Sequence, residues 1–392
     1  MNKVILSLAL GTFGLGMAEF GIMGVLTELA RDVQIPIASA GHMISFYALG
    51  VVIGAPVIAV FSSKFSLKTL QLFLVALCAV GNAIFTFSSS YTMLMVGRLI
   101  SGFPHGAFFG VGAIMLTKVI RPGKVTAAVA GMVSGMTLAN LIGIPLGTLL
   151  SHEFSWRATF LLIAVFNIAV IISVIFCIPD ISDNAPTKLS EQFHFLKSPA
   201  PWLIFLATLF SNAGVFAWFS YIKPVMMYVS GFSEATMPMI MMLAGLGMVL
   251  GNMVSGKIST RFSPLRIAAI TNFIIAAALL LIFFFAFQKT ASLSLAFISC
   301  AGLFALSAPL QILLLQNAKG GEMLGAAGGQ IAFNLGSAVG AWCGGMMLSA
   351  QLAFNYVALP AALLSLSAML SLICYSRLKS RPAFHFEAGA TS

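Results

Sequence analysis

The chain has 392 residues, of which 60% are hydrophobic and only 8% are charged, and its formal net charge is +10. Soluble domains carry about 25% charged residues, so this composition excludes a water-soluble fold and indicates an integral membrane protein. The positive charge could suggest a nucleic-acid partner, but its placement along the chain, described below, indicates membrane topology instead, and we expect no nucleic acid to bind.

Twelve apolar runs are long enough to form helices that cross the hydrocarbon core, which takes about 20 residues each. Numbered in chain order as spans 1 to 12, they cover residues 4–26, 40–61, 69–88, 92–117, 126–149, 157–178, 201–222, 236–256, 264–287, 291–315, 324–348 and 355–376. A cleaved signal peptide is the alternative for span 1, but the run is too long and no convincing cleavage site follows it. We therefore predict an all-α membrane protein with twelve transmembrane helices.

The lysine and arginine residues predict the orientation, because these residues concentrate in cytoplasmic loops. With the N-terminus inside, fifteen of the 20 fall in inner segments and four in outer segments, which leaves Arg98 within span 4. This asymmetry predicts that both termini are cytoplasmic, and it supports an even number of spans.

The two halves of the chain form an internal repeat with an offset of 197 residues, because LGVVIGAPVIAVFSSKFS (49–66) aligns with LGMVLGNMVSGKISTRFS (246–263). The paired positions include Gly50 with Gly247, Gly54 with Gly251, and Lys64 with Arg261. The same offset aligns two ladders of small residues spaced by four. Their members are Gly131, Gly135, Ala139, Gly143 and Gly147 in span 5, and Gly328, Ala332, Gly336, Gly340 and Gly344 in span 11.

Small residues spaced by four line one helix face and let two helices approach closely in lipid. The ladders are either static packing surfaces or sliding surfaces between two halves that rock against each other. Two six-span halves in parallel repeat are the plan of an alternating-access transporter, which we favour over a channel or a membrane enzyme. The predicted bundles are residues 1–178 and 201–377, with a central cytoplasmic loop at 179–200 and a cytoplasmic tail at 378–392.

Five stretches resemble the drug/sugar:proton antiporter branch of the major facilitator superfamily: GMAEFGIMG (16–24), YALGVVIGAP (47–56), GRLISGFPHGAFFG (97–110), NLIGIPLGTLL (140–150) and FSWRATF (154–160). Pro145, within GIPLG, resembles part of the antiporter signature of that family. The resemblance implies the major facilitator fold, a secondary active transporter rather than an enzyme, and a central cavity lined by spans 1, 4, 7 and 10.

The chain departs from the family pattern in the loop after span 2, which reads SSKFSLK (62–68). Ser63 stands where an aspartate is usual, while Lys64 and Lys68 keep the basic character of the loop. The acidic half of the family's inner charge relay is therefore absent from its usual position, and the two lysines serve either gating or topology.

Glu19 is the one carboxylate well inside a predicted span, and Arg98 is the one guanidinium. Ionisable residues in the membrane are costly and mark pathways or relays. At ~1.5 Å per residue, both lie about 10 Å below the outer interface. A carboxylate whose neighbouring arginine moves closer or farther would bind and release a proton, and the alternatives are a static ion pair or no contact. His105, two turns after Arg98 and next to Pro104, either passes protons or forms a neutral hydrogen bond.

Polar and aromatic side chains in the cavity-type spans and their neighbours could form a mixed site for neutral polyhydroxy ligands or amphipathic drugs, although each could equally join two helices. They are Tyr47, Asn140, Asn212, Trp218, Gln311 and Asn334. No phosphate-binding G-x-x-x-x-G-K-[ST] motif, serine nucleophile motif or Cys/His cluster occurs, so we expect no ATP, metal or cofactor. The five cysteines lie in or beside apolar runs and read as core residues.

The sequence therefore predicts a monomeric, proton-coupled efflux transporter of a bacterial inner membrane, whose cargo is a sugar or a sugar-like small molecule. A multidrug efflux antiporter is the first alternative. A receptor or assembly partner that has a transporter fold but moves nothing is the alternative from another class.

Overall fold

The computed structural model describes residues 2–61, 65–121, 124–181, 194–259, 261–318 and 322–379. Within these ranges the chain is helical and contains no strand, and twelve helical segments are long and apolar enough to cross a membrane. The predicted all-α class and the number of spans are confirmed. Ser63, Lys64, most of the predicted central loop and nearly all of the predicted tail lie outside the described residues.

Eight spans are each built on one α-helix. These are spans 1, 2, 3, 6, 8, 9, 11 and 12, formed by Asn2–Asp32, Ile37–Phe61, Leu67–Phe87, Trp156–Cys177, Met237–Ile258, Pro264–Phe285, Glu322–Ser349 and Ala358–Lys379. The other four are interrupted. Span 4 is Tyr91–Gly102 and His105–Val119, span 5 is Val125–Leu138 and Ile144–Glu153, span 7 is Pro199–Phe219 followed by Ile222–Pro224, and span 10 is Lys289–Ala305 and Ser307–Asn317.

Prolines account for two of the interruptions. Pro104 has no N–H to donate and separates the two helices of span 4. In span 5, Pro145 follows one turn of π-helix at Ala139–Gly143, and this wider turn accommodates a residue that cannot bond to the carbonyl group four positions earlier. Both breaks lie in the middle of their spans, close to the cavity described below.

The helix contacts repeat between the halves. In the first half, span 1 packs against spans 5 and 6, span 2 against span 4, and span 3 against spans 4 and 6. The second half repeats each of these contacts six spans later: span 7 with 11 and 12, span 8 with 10, and span 9 with 10 and 12. The halves meet where span 2 packs against span 11 and span 5 against span 8. These two contacts are also equivalent by the repeat, since spans 8 and 11 are the counterparts of spans 2 and 5. The duplicated sequence thus folds into two equivalent bundles.

The two ladders of small residues pack helices within each half. A Cβ atom at Gly135 would fall on the carbonyl oxygen of Ala9 in span 1, and one at Gly340 would fall on that of Ala213 in span 7. Equivalent close contacts join Gly143 to Met17, Gly147 to Thr159, and Gly344 to Ala217. These contacts support static packing within each half, and the role of the ladders as sliding surfaces between the halves stays a prediction.

The repeated glycines of spans 2 and 8 have the same packing role. They lie against backbone carbonyl groups of spans 4 and 10: Gly50 on Leu99, Gly54 on Phe103, Gly247 on Phe297, and Gly251 on Ala301. In each case a larger side chain would collide with the backbone of the neighbouring helix. The contact between the halves uses other residues, because Gly245 of span 8 lies against the carbonyl group of Asn140 in the π-helical turn of span 5.

Candidate functional site

A cavity of about 210 Å³ lies between the two halves. Its polar wall consists of Glu19, His105, Thr137, Thr208, Asn212, Asn252, Ser307, Gln311 and Gln330, and its aromatic wall of Phe109, Phe304 and Phe333. Among the described residues, no lysine or arginine lines it. We call the face of the bundle at which the helix of span 1 begins and that of span 12 ends the terminus side, and the opposite face the far side. From the level of Glu19, the cavity extends towards the terminus side.

Glu19 lies in the middle of the helix of span 1 and is 4% exposed. Since Cα–Cβ bonds in a helix tilt towards its N-terminus, the carboxylate leans towards the terminus side and into the cavity. Its Oε2 atom lies 3.7 Å from Nε2 of His105 and has no hydrogen-bond partner among the described residues. The carboxyl group therefore faces the cavity, and His105 is its one titratable neighbour in ion-pair range within the described part of the chain.

His105 begins the second helix of span 4, directly after Pro104. Its Nδ1 atom shares a hydrogen bond of 2.9 Å with the hydroxyl of Tyr47, and its ring stacks on Phe109 at 5.4 Å. The imidazole thus lies between the carboxylate of Glu19 and the phenol of Tyr47. This arrangement can carry a proton between the cavity and the interior of the first half, because each of the three groups can both hold and release one.

Arg98 is fully buried beside this chain of groups. Its Nη1 atom donates to the carbonyl oxygen of Ala18 at 2.6 Å, its Nε atom donates to that of Met43 at 3.2 Å, and its guanidinium covers the ring of Tyr47 at 4.3 Å. The contact with Ala18 supports the predicted common depth of Arg98 and Glu19. Among the described residues Arg98 forms no ion pair with Glu19, so the alternative of a static pair has no support. Nη1 and Nε bind backbone carbonyl groups of spans 1 and 2, while Nη2 has no hydrogen-bond partner among the described residues.

The structure places two of the six predicted substrate-cavity residues on the cavity wall, namely Asn212 and Gln311. The other four are buried away from it. Tyr47 lies behind His105, Asn140 lies in the π-helical turn of span 5, Trp218 is 0% exposed, and Asn334 donates to the carbonyl group of Gln330 in its own helix. Their predicted role as substrate contacts therefore has no direct support from the geometry.

An aromatic layer on the far side of the cavity was not predicted from the sequence. The ring of Phe20 in span 1 lies 5.9 Å from that of Phe216, 6.3 Å from that of Phe219 and 6.2 Å from that of Phe304. Phe216 in turn lies 6.2 Å from Phe333. Because Phe20 comes from the first half and the other four from the second, this layer joins the halves and separates the cavity from the far side.

A buried ion pair closes the far side beyond this layer. Lys223 is 0% exposed, forms a salt bridge with Glu28 of span 1, and lies 3.7 Å from Glu234, which precedes span 8. The sequence places Lys223 in an outer loop, but helical turns continue span 7 through Ile222–Pro224 and Val225–Val229. The predicted end of span 1 is also too early, because its helix runs to Asp32 and includes Glu28. The Lys223–Glu28 bridge therefore joins the two halves.

The remaining predicted gating residues lie at the terminus side or in span 5. Lys68 donates from Nζ to the carbonyl oxygen of Ile175 at 2.7 Å, near the end of span 6 and within the first half. Arg261 is exposed. Pro145 ends the π-helical turn that contacts span 8. Their gating roles stay predictions. Among the described residues, no group of three histidine, cysteine or acidic side chains could hold a metal ion.

Comparison with known proteins identifies the family to which the chain belongs. The sequence profile of the Major Facilitator Superfamily matches residues 8–332. AraJ of Escherichia coli (strain K12) is 76% identical over 383 residues, which cover 98% of this chain and 97% of AraJ. A "Chloramphenicol resistance protein" of Streptomyces lividans is 27% identical over 85% of this chain and 86% of its own length. A "Probable sugar efflux transporter" of Helicobacter acinonychis (strain Sheeba) is 26% identical over 92% of each chain.

A solved structure supports the fold independently of sequence. The bacterial homologue of the human lysosomal transporter Spinster, in an inward-facing and occupied conformation, superposes with a TM-score of 0.76 at 16% identity. The superposition covers 97% of this chain and 98% of that one. The arrangement of twelve helices as two six-helix bundles is therefore shared with a transporter fold.

Proposed function

The chain belongs to the major facilitator superfamily and is a multi-pass membrane transporter, and on this premise we propose that it is a proton-coupled efflux transporter for a neutral sugar or sugar-like molecule. The observation that carries the proposal is the cavity between the halves. It combines a buried carboxylate next to an imidazole with a wall of amides, hydroxyls and aromatic rings. The aromatic layer around Phe20 and the Lys223–Glu28 bridge lie between it and the far side. A transporter that alternates its access needs such a site between its two bundles.

The chemistry and size of the cavity favour a small, neutral, hydroxyl-rich substrate. Asn212, Asn252, Gln311 and Gln330 offer amide donors and acceptors, and the aromatic rings offer flat apolar surfaces. Drug-sized ligands occupy pockets of roughly 300–1,000 Å³, which is larger than this cavity of about 210 Å³. The absence of a described lysine or arginine in the wall disfavours anions. A drug such as chloramphenicol is the alternative substrate, because the relative from Streptomyces lividans is a chloramphenicol resistance protein.

Glu19 is the proposed proton carrier. An ionised carboxylate without a hydrogen bond in an apolar site costs several kcal/mol, and protonation removes that charge. When the cavity is hydrated from one side, or when His105 moves closer, the carboxylate can release its proton. The buried link from Glu19 through His105 to Tyr47 supports a proton pathway within the first half.

The proposed setting is a bacterial inner membrane, with both termini cytoplasmic and the protein acting as a monomer. The excess of lysine and arginine on the terminus side supports this orientation, since fifteen of the 20 basic residues belong to that side of the predicted topology. In this orientation the cavity faces the cytoplasm, which is the side from which an efflux transporter takes its cargo.

The proposal is tested with purified protein in liposomes loaded with candidate cargo. Thermal-shift measurements over pentoses, oligosaccharides and chloramphenicol first select the ligand. An imposed proton gradient should then drive uphill movement of that ligand, whereas a receptor would move none and a channel would only dissipate its gradient. Glu19→Gln should abolish proton-driven movement but retain part of the exchange of labelled for unlabelled ligand. Glu153→Gln, which changes an exposed carboxylate, is the control. Full proton-driven transport by Glu19→Gln would exclude Glu19 as the carrier.

A further inference from the structure

A second concavity lies on the outside of the second half, between spans 8, 9 and 10. This groove has a volume of about 710 Å³ and shares no wall residue with the central cavity. Six of its apolar side chains are 39–55% exposed: Leu250, Val254, Phe262, Ile270, Ile274 and Ile298. Since the groove opens outwards at membrane-spanning helices, its natural contents are the acyl chains of the bilayer.

The groove has one charged end. Along span 9 its wall extends from Arg266 to Ile274, eight residues or ~12 Å of helix. One leaflet of the hydrocarbon core is about 15 Å thick, so the groove covers most of one leaflet on the terminus side. Arg266 lies in the first turn of span 9, exposed, with its guanidinium 5.7 Å from the ring of Phe262. Arg261, in the loop before the span, is also exposed. These cations lie at the depth of lipid headgroups.

We propose that this groove is a binding site for an anionic phospholipid, with an acyl chain between spans 8, 9 and 10 and the phosphate on Arg266. The charge of the arginines complements that of the headgroup, and a guanidinium binds two phosphate oxygens at once. Basic pockets between transmembrane helices recognise anionic lipids in this way. The apolar wall accepts the chain, and the cation at the headgroup level selects the lipid class.

The internal repeat supplies a natural comparison. A smaller groove of about 400 Å³ lies between spans 2, 3 and 4, at the position related by the offset of 197 residues. Its wall positions Val57, Phe65 and Thr69 correspond to Val254, Phe262 and Arg266. The apolar residues recur, but threonine stands in place of the arginine. The two halves therefore share the shape of the groove and differ at the position that would hold the phosphate.

The test uses the full-length protein in detergent with phosphatidylglycerol and phosphatidylcholine that carry the same acyl chains. Lipid retained after gel filtration is counted per protein by mass spectrometry. We expect phosphatidylglycerol to be retained at least about fivefold over phosphatidylcholine, the preference that one cation near a headgroup supplies. Arg266→Gln should bring this ratio close to one. Lys289→Gln, which removes a cation on the far side near Phe232, should leave it unchanged.

A second pair of variants tests the groove itself. Val254→Trp fills it and should lower the retention of both lipids, whereas Val57→Trp at the repeat-related position should not lower the retention of phosphatidylglycerol. Both positions are exposed to lipid, so a tryptophan there leaves the packing of the bundle intact. Equal retention of the two lipids by the unchanged protein, or an unchanged ratio in Arg266→Gln, would overturn the proposal. An equal loss in both tryptophan variants would place the lipid elsewhere.

Discussion

Replacing Lys223 with methionine should open the far side of the transporter. The ammonium group of Lys223 is fully buried and bridges Glu28 of the first half, while Glu234 of the second half lies 3.7 Å away. Methionine keeps much of the length and the apolar stem of the side chain but leaves Glu28 without its counter-charge. The side chain of Glu28 is only 13% exposed, so solvent compensates little of the loss while the far side is closed.

The size of the effect follows from the burial of the pair. Removal of one partner from a buried ion pair costs 3–5 kcal/mol, and we take about 3 kcal/mol because Glu28 keeps some contact with water. This cost is present only in the closed state, since Glu28 becomes hydrated when the halves separate. At 1.4 kcal/mol for each factor of ten, the ratio of open to closed protein should rise by about two orders of magnitude. Glu28→Gln should have a smaller effect, because Lys223 retains Glu234.

A reporter cysteine measures this opening. Ser45 of span 2 is 8% exposed, and its hydroxyl donates to the carbonyl oxygen of Ala338 in span 11 at 3.0 Å, across the interface between the halves. Ser45→Cys in nanodiscs should react slowly with a water-soluble maleimide, and its labelling rate should rise by up to about 100-fold after Lys223→Met. The protein without the reporter corrects for the five native cysteines.

Lys289→Met is the matched control, because it removes another lysine of the far side that contacts the ring of Phe232. Its labelling rate should stay close to that of the parent. The double variant Lys223→Met with Glu28→Gln should label more slowly than Lys223→Met alone, because the more buried carboxylate is then neutral and Glu234 is 25% exposed to solvent. A labelling rate that Lys223→Met leaves unchanged would refute the conclusion that this bridge holds the far side closed.

Three further variants, one of them with a matched control, test the packing described above. Arg98→Lys should lower the apparent melting temperature of the purified protein, because one ammonium group cannot reach both backbone carbonyl groups, and a lost hydrogen bond to a charged group costs about 1.5–3 kcal/mol. Gly340→Leu should reduce the yield of monodisperse protein, since its side chain would meet the backbone of span 7. A Cβ atom at Gly110 would meet no atom within 4 Å, so Gly110→Leu is the control and should be tolerated. Gly245→Leu should leave folding intact but raise the labelling of the reporter cysteine, because it wedges span 8 away from the carbonyl group of Asn140.

Repetition made most of the fold predictable from the sequence. Each span carries its own hydropathy signal, and the offset of 197 residues identifies the two halves without any knowledge of their contacts. The small-residue ladders correctly predicted close helix packing. They could not tell which helix is the partner, because a smooth face at Gly135 or Gly340 suits a neighbour in either half equally well.

The charged residues of the candidate site were predictable from the sequence, whereas the residues that line the cavity were less predictable. Glu19 and Arg98 stand out because a charge in an apolar run has few explanations. An amide side chain in a span has many possible roles, and the direction in which it points depends on the rotation of its helix. Asn212 therefore faces the cavity while Asn140, in a π-helical turn, does not. Hydropathy also ended span 1 too early, because it measures polarity, whereas the helix continues through Glu28 to Asp32.

Span 1 connects the proposed proton site to the ion pair on the far side. Glu19 faces the cavity, Phe20 packs into the aromatic layer of the second half, and Glu28 binds Lys223 about two turns further on. Arg98 ties the carbonyl group before Glu19 to spans 2 and 4, so span 1 moves with the first half as one body. Opening the far side must therefore separate Phe20 from the second half and break the bridge of Glu28. In the proposed mechanism the same motion hydrates the carboxylate of Glu19, and this shared helix would then couple proton release to the change of access.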